Sequence, residues 1–239
     1  MLTVDAREQM IQQQVRAWDV LDERVLEVLR NIPRERFVPE SHRYLAYADV
    51  EVPLAREQHM LRPSVVGRLL QALALKGNEQ VLEIGAGSGF VTACLAASAR
   101  QVRSLEIFPE LAEASRANLA ALGLENVEIV NADARQHDAG TRYDAIAVTA
   151  SLPIDDELLE QRRDAASNRF LALPPAADER SFERRLALGG RLFVVVGEPP
   201  LMQAKLIRRT GESAWSTESL FETVIDPLVN ASHLPAFTF

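Results

Sequence analysis

The sequence is short of several things, and each shortage excludes a class of protein. Its 239 residues include one cysteine, Cys94, so no intrachain disulfide can form and a zinc site built from several cysteines is ruled out. Set inside an apolar helical stretch, Cys94 reads as a small core residue. No window approaches the roughly 18 apolar residues of a membrane-spanning helix. The opening Met-Leu-Thr-Val-Asp-Ala-Arg-Glu-Gln also lacks the apolar stretch of a signal peptide. Positive charge is scarce: 26 Lys and Arg stand against 34 Asp and Glu, for a formal net charge of −8. That balance offers no general attraction to phosphate backbones or anionic membranes. The basic pairs Arg162–Arg163 and Arg184–Arg185 have acidic neighbours and read as solvated helix faces. The expectation is a cytoplasmic enzyme that partners neither nucleic acid nor membrane; nothing specifies an oligomeric state.

What is present is concentrated in Val81-Leu-Glu-Ile-Gly-Ala-Gly-Ser-Gly-Phe90. Val81, Leu82 and Ile84 read as a buried parallel strand. Gly85, Gly87 and Gly89 then let the backbone turn sharply and approach a ligand that a Cβ would exclude. A dinucleotide fingerprint requires G-x-G-x-x-G, but here the third glycine comes one residue early and Glu83 precedes the first by two. A carboxylate there suits a cationic ligand better than a pyrophosphate. The pattern E-x-G-x-G-x-G resembles motif I of the class I S-adenosylmethionine (SAM) methyltransferases, in which the acid lies near the positively charged methionine portion.

Successive strand ends extend the pattern. Val102 to Glu106 reads as a second strand, and Glu106 follows Gly89 by 17 residues, close to the separation at which a carboxylate takes both ribose hydroxyls. Val127 to Asn131 reads as a third strand with Asp133 just beyond it, and Tyr143 to Val148 as a fourth, followed by Thr149 and Ser151. Each candidate group falls at the C-terminal end of a strand, where open α/β sheets bind ligands. Further strands are expected at 191 to 196, 204 to 209 and 219 to 225, the last two as an antiparallel edge. The fold class is therefore α/β, with a doubly wound, mostly parallel seven-stranded sheet.

Before residue 76 the pattern is helical. Met10, Ile11, Val15 and Trp18 mark one stripe over Val4 to Asp19. Asp22 caps a second helix through Leu29, and Pro63 opens a third. We divide the chain into an N-terminal helical layer with an acceptor-side segment (1–75) and a SAM-binding domain (76–239). An excursion at about 161–184, marked by Pro174-Pro175, is expected on the face opposite the cofactor.

Over nearly its whole length the chain resembles the protein-L-isoaspartate O-methyltransferase family. The resemblance rests on Met10-Ile-Gln-Gln-Gln-Val-Arg16, Pro33-Arg-Glu-Arg-Phe-Val-Pro39, Leu45-Ala-Tyr-Ala-Asp49, Val81 to Phe90, Tyr143-Asp-Ala-Ile146 and Gly189-Gly-Arg-Leu192. It implies a SAM-dependent enzyme, leaving S-adenosyl-L-homocysteine (SAH) as product, that esterifies isoaspartyl carboxylates of damaged proteins, so the partner is a protein or peptide substrate. It further implies a cofactor site from Glu83, Gly85, Ala86, Gly87, Gly89, Glu106, Ile107, Asp133 and Ala134, with alanine at 134 in place of a usual glycine. No catalytic metal is called for.

One segment departs from the family. Where it usually reads Gly-Gln-Thr-Ile-Ser-x-Pro, this chain reads Glu57-Gln-His-Met-Leu-Arg-Pro63. The serine hydroxyl beside the reacting centre becomes Leu61, the threonine becomes His59 and the glycine becomes Glu57. His59 and Arg62 are then the candidate catalytic residues: Arg62 to bind a carboxylate, His59 to take a proton from a phenol or amine. Two alternatives stay open, a small-molecule methyltransferase with a rebuilt acceptor pocket and a SAM-binding protein without transfer activity.

Overall fold

Aliphatic runs alternating with helical segments from residue 80 onward build one sheet. A computed structural model describes residues 2–137, 140–152 and 182–231, with residues 2–4 as backbone only. The N-terminal region contains α1 (Leu2–Met10), α2 (Glu23–Asn31), the two-residue strands β1 (Val52–Pro53) and β2 (His59–Met60), and α3 (Pro63–Leu73). The sheet follows as β3 (Gln80–Ile84), β4 (Gln101–Glu106), β5 (Val127–Asn131), β6 (Tyr143–Leu152), β7 (Leu186–Glu198), β8 (Leu201–Gly211) and β9 (Ala214–Glu222). Helices α4 (Phe90–Ala96) and α5 (Pro109–Ala120) cross between its first strands.

The strand order is β5-β4-β3-β6-β7-β8-β9. Strands β5 to β7 pair in parallel and β8 and β9 antiparallel, as expected of a doubly wound sheet with an antiparallel edge. The order reverses between β3 and β6, and the crevice at such a point, beyond the strands' C-terminal ends, is where this architecture binds ligands. The last strand begins earlier than the pattern suggested, at Ala214 rather than 219. Pairing of Gly211 with Ala214 leaves Glu212-Ser213 as a tight turn that sets the register. Residues 223 to 226 are thereby free to return toward β6, where Ser151 N donates to Asp226 O at 2.8 Å.

The N-terminal helices share one hydrophobic core with the sheet, through Leu26, Leu29, Val66, Leu69, Leu73, Val81 and Phe193. Asp22 accepts a hydrogen bond from Arg24 N at the start of α2, a cap whose loss costs about 1 kcal/mol. The first stripe does not form one continuous helix. After Met10 a widened π turn (Ile11–Val15) and a 3-10 turn (Arg16–Trp18) follow, ending at Asp19 with φ 58°. The widening seats Val15 against Gly67 of α3, where a Cβ would come within 2.8 Å of Val15 Cγ1. Cys94 is fully buried. No helix among the described residues is long and apolar enough to cross a membrane. The expected excursion at 161–184 lies outside the described residues except for Phe182 to Arg184. Arg185, expected in solvent, is 2% exposed: it closes a 3-10 turn packed against the sheet, and its Nη2 donates to Ala134 O at 2.9 Å.

Candidate active site

Two adjoining clefts open at the reversal of strand order. The first is lined by Gly85 to Ser88, Glu106, Thr149 and Ala150 from the sheet, and by Arg34, Glu51, Leu54, His59, Met60, Leu61 and Asp226 around them. The second is lined by Glu106, Ile107, Phe108, Ala132, Asp133 and Ala134, with Pro227 to Val229 across from them. Glu106 borders both.

The glycine turn is shaped by sterics. Gly85 has φ +93°, and a Cβ there would fall 2.5 Å from Thr149 Oγ1. That hydroxyl donates to Gly85 O at 2.6 Å, fixing the turn against β6. At Gly87 (φ +53°) the amide donates to Glu106 Oε2 at 2.9 Å, and Phe108 N donates to Oε1 at 3.0 Å. Two backbone donors thus orient the Glu106 carboxylate at the end of β4, with lone pairs remaining for ligand hydroxyls. Asp133 accepts from Arg135 N and from Asn230 Nδ2. The buried Ala134 gives the second cleft an apolar wall suited to a flat aromatic base.

Three of the expected site residues stand elsewhere. Strand residues alternate between faces, so Glu83 points with Val81 toward α4 and away from the clefts. Its carboxyl is 0% exposed, and Oε2 accepts from Thr92 Oγ1 and Ser104 Oγ, each at 2.5 Å. Burial, opposed by those two hydroxyls and reinforced by nearby Glu106, pushes its pKa up to about 8. Burial thus favours its protonated form, and the carboxyl faces the hydroxyls of α4 and β4 rather than either cleft. Gly89 caps α4 in the left-handed conformation, where a Cβ would press to 3.2 Å from Ser115 Cβ; its role is the approach of α4 to α5. Arg62 lies outside both clefts, with Nη2 donating to Thr223 Oγ1 at 2.8 Å and the guanidinium 5.7 Å from the Trp18 ring centre.

His59 does line the first cleft. Its Nδ1 is 2.8 Å from Asp226 Oδ2, a contact across 167 residues that the sequence gives no means of anticipating. Glu51 stands nearby, its pKa raised by burial and by Asp226 against the opposing pull of Arg62 and His59. The loop between β1 and β2 lies against the glycine turn, with Leu54 Cδ1 3.3 Å from where a Cβ on Gly87 would fall. Leu54 N donates to Gln58 O at 2.7 Å, and an ion pair from Arg56 to Glu110 ties the loop to α5. Arg56 and Glu57 take positive φ, 60° and 57°, which explains why glycine suits position 57. Leu61, buried beneath, offers the cleft no polar side-chain atom.

A seven-stranded sheet in this order, with a glycine turn after the first central strand and an oriented acid after its neighbour, defines a class I SAM-dependent methyltransferase. The family model for protein-L-isoaspartate(D-aspartate) O-methyltransferase matches residues 5–166. A protein-L-isoaspartate O-methyltransferase of Rhodopseudomonas palustris is 38% identical over 93% of this chain and 92% of its own. Another, from Marinobacter nauticus, is 35% identical over 97% and 96%. The chain belongs to the protein-L-isoaspartate O-methyltransferase family, and its cofactor is SAM. A Plasmodium falciparum protein-L-isoaspartate O-methyltransferase structure, in complex with SAH, shares the fold: TM-score 0.71, 19% identity, 93% of this chain and 97% of that one.

Proposed function

We propose that this chain transfers the methyl group of SAM to the free carboxylate of isoaspartyl residues in proteins or peptides. The observation that carries the reading is one cleft bounded jointly by the glycine turn and by the 51–61 segment of a chain that belongs to this family. SAM supplies a methyl group made electrophilic by a sulfonium. The cofactor residues we propose are Gly85, Ala86, Gly87, Glu106, Ile107, Asp133 and Ala134. Glu106 fits ribose hydroxyls because its two backbone donors already fix its orientation. An acceptor carboxylate is ionised near neutral pH, so the residues must align it and exclude water more than remove a proton. Leu61, Met60 and Leu54 supply the apolar wall that does the excluding. His59, with Nδ1 held by Asp226, has Nε2 left to meet the acceptor and, as imidazolium, would donate to its carboxylate.

The His59–Asp226 pair also favours a second reading. A neutral imidazole held in this way accepts a proton at Nε2, as a phenol or amine acceptor in a rebuilt pocket would require. Incubation with labelled SAM and an isoaspartyl peptide, beside the normal aspartyl peptide, separates the two. Label in the isoaspartyl peptide alone supports carboxylate transfer. Label in neither, with SAH binding intact, refutes it and favours the rebuilt pocket.

A further inference from the structure

Arg34 lies 1% exposed in the wall of the first cleft. Its Nε donates to Ala46 O at 3.0 Å and its Nη2 to Leu61 O at 2.9 Å. The guanidinium stands 4.8 Å from the centre of the Phe90 ring. Nη1 is enclosed and has no hydrogen-bond partner among the described residues. Burial lowers the side chain's pKa to about 10, so it remains charged at neutral pH. A buried cation with a free donor is costly unless an anion meets it. Glu51, Asp226 and Glu106 also line the cleft, so Arg34 is the lining guanidinium that can offset them for an incoming carboxylate, while Leu61 presents no donor where the family has a hydroxyl.

We propose that Arg34 Nη1 forms a carboxylate subsite of this cleft, which deepens the methyltransferase reading above and rests on it. Two carboxylates reach such a site, the α-carboxylate in the methionine part of the cofactor and the carboxylate of the acceptor. A planar guanidinium suits either.

Arg34→Lys and Arg34→Met, checked for folding by thermal melts, distinguish the sources. Calorimetry would compare SAH with 5′-methylthioadenosine, which keeps the adenosine and sulfur but has no carboxylate. Steady-state kinetics at saturating SAM would give KM for an isoaspartyl peptide. For the cofactor carboxylate, Arg34→Met lowers SAH affinity about tenfold or more, the usual size for a lost charged hydrogen bond, and spares methylthioadenosine. For the acceptor carboxylate, both nucleosides bind as before and KM rises by a similar factor with kcat less affected. Arg34→Lys retains part of the effect in either case. Equal losses for both nucleosides, or no loss in any arm, overturn the inference and leave Arg34 as a brace for Ala46 and Leu61 with an internal water on Nη1. Should neither variant fold, 15N-arginine NMR of the wild type decides: a buried guanidinium signal must move with SAH or peptide but not with methylthioadenosine, and indifference to both refutes the subsite. A wild type inactive on the isoaspartyl peptide refutes the acceptor reading, and the binding comparison then judges Arg34 by itself.

Discussion

Replacing Glu83 with glutamine tests the most unexpected feature of the site, a motif acid whose burial favours its protonated form. In the unfolded chain this carboxyl ionises near its ordinary value of 4.5, whereas in the folded chain it holds its proton up to about pH 8. Folding therefore retains a proton that the unfolded chain gives up, and Glu83 weakens the fold progressively as pH rises through that window. The slope is about 1.4 kcal/mol per pH unit, or about 4 kcal/mol between pH 5 and pH 8. Glutamine keeps the shape and the oxygen that accepts from Thr92 and Ser104 but has no proton to lose. Denaturant unfolding of both proteins from pH 5 to pH 9 isolates the effect, since every other titrating group is common to the pair. The amide NH2 takes the place of Oε1, which is buried with no partner among the described residues, so Glu83→Gln should start about 1 to 3 kcal/mol behind at pH 5, gain on the wild type as pH rises and level off above pH 8. SAH affinity at pH 7 should be unchanged, because no charge at the ligand has been removed. A pH-independent difference, or a tenfold loss of SAH affinity, would refute the reasoning and return Glu83 to the cofactor as a charged group.

Three other substitutions probe the surrounding geometry. Glu106→Ala should weaken SAH binding by about 1 to 3 kcal/mol, the usual penalty for unpairing a charged hydrogen-bond partner; calorimetry showing full affinity would remove Glu106 from the cofactor site. Glu57→Gly should stabilise the protein by roughly 0.5 to 1 kcal/mol in denaturant unfolding, because relief of the positive φ outweighs glycine's greater unfolded-state freedom. A destabilised variant would mean that the glutamate side chain contributes more than its backbone costs. Arg62→Ala should cost about 1 kcal/mol of stability through Thr223 and Trp18 while leaving the KM for the acceptor peptide unchanged. A selective rise in that KM would bring Arg62 back into the acceptor site.

Elements whose order and period are local were legible in the sequence. Apolar runs at Val81 to Ile84, Val102 to Leu105 and Tyr143 to Val148, with short connections, specify parallel strands because such runs can only be buried between layers. The glycines at 85 and 87 and the acids at 106 and 133 then fall at strand ends by chain order alone. Ile107 and Ala134 follow them into the second cleft. The segment around Leu61 was also legible as the place where this chain departs from its family.

What the sequence could not convey was direction and long-range partnership. Glu83, on the α4 face of its strand, lies in a motif whose spacing does not say whether its carboxyl meets a ligand or the Thr92 and Ser104 hydroxyls; packing of α4 and β4 decided that. Arg62 sits three residues from His59, yet Thr223 and Trp18 draw it away from the cleft. His59 gains its partner only because the β8–β9 hairpin returns residue 226 to the end of β6, and Arg34, in a motif read as family resemblance, becomes part of the cleft wall only when the 51–61 segment folds across it. Hydrophobic period and chain order are carried by neighbouring residues, so the sequence by itself determined the sheet and the residues at the ends of its strands. The outer wall of the first cleft is assembled from segments up to 167 residues apart, and hydrogen bonds between side chains so distant leave no periodic trace in the chain, so only the tertiary structure decided it.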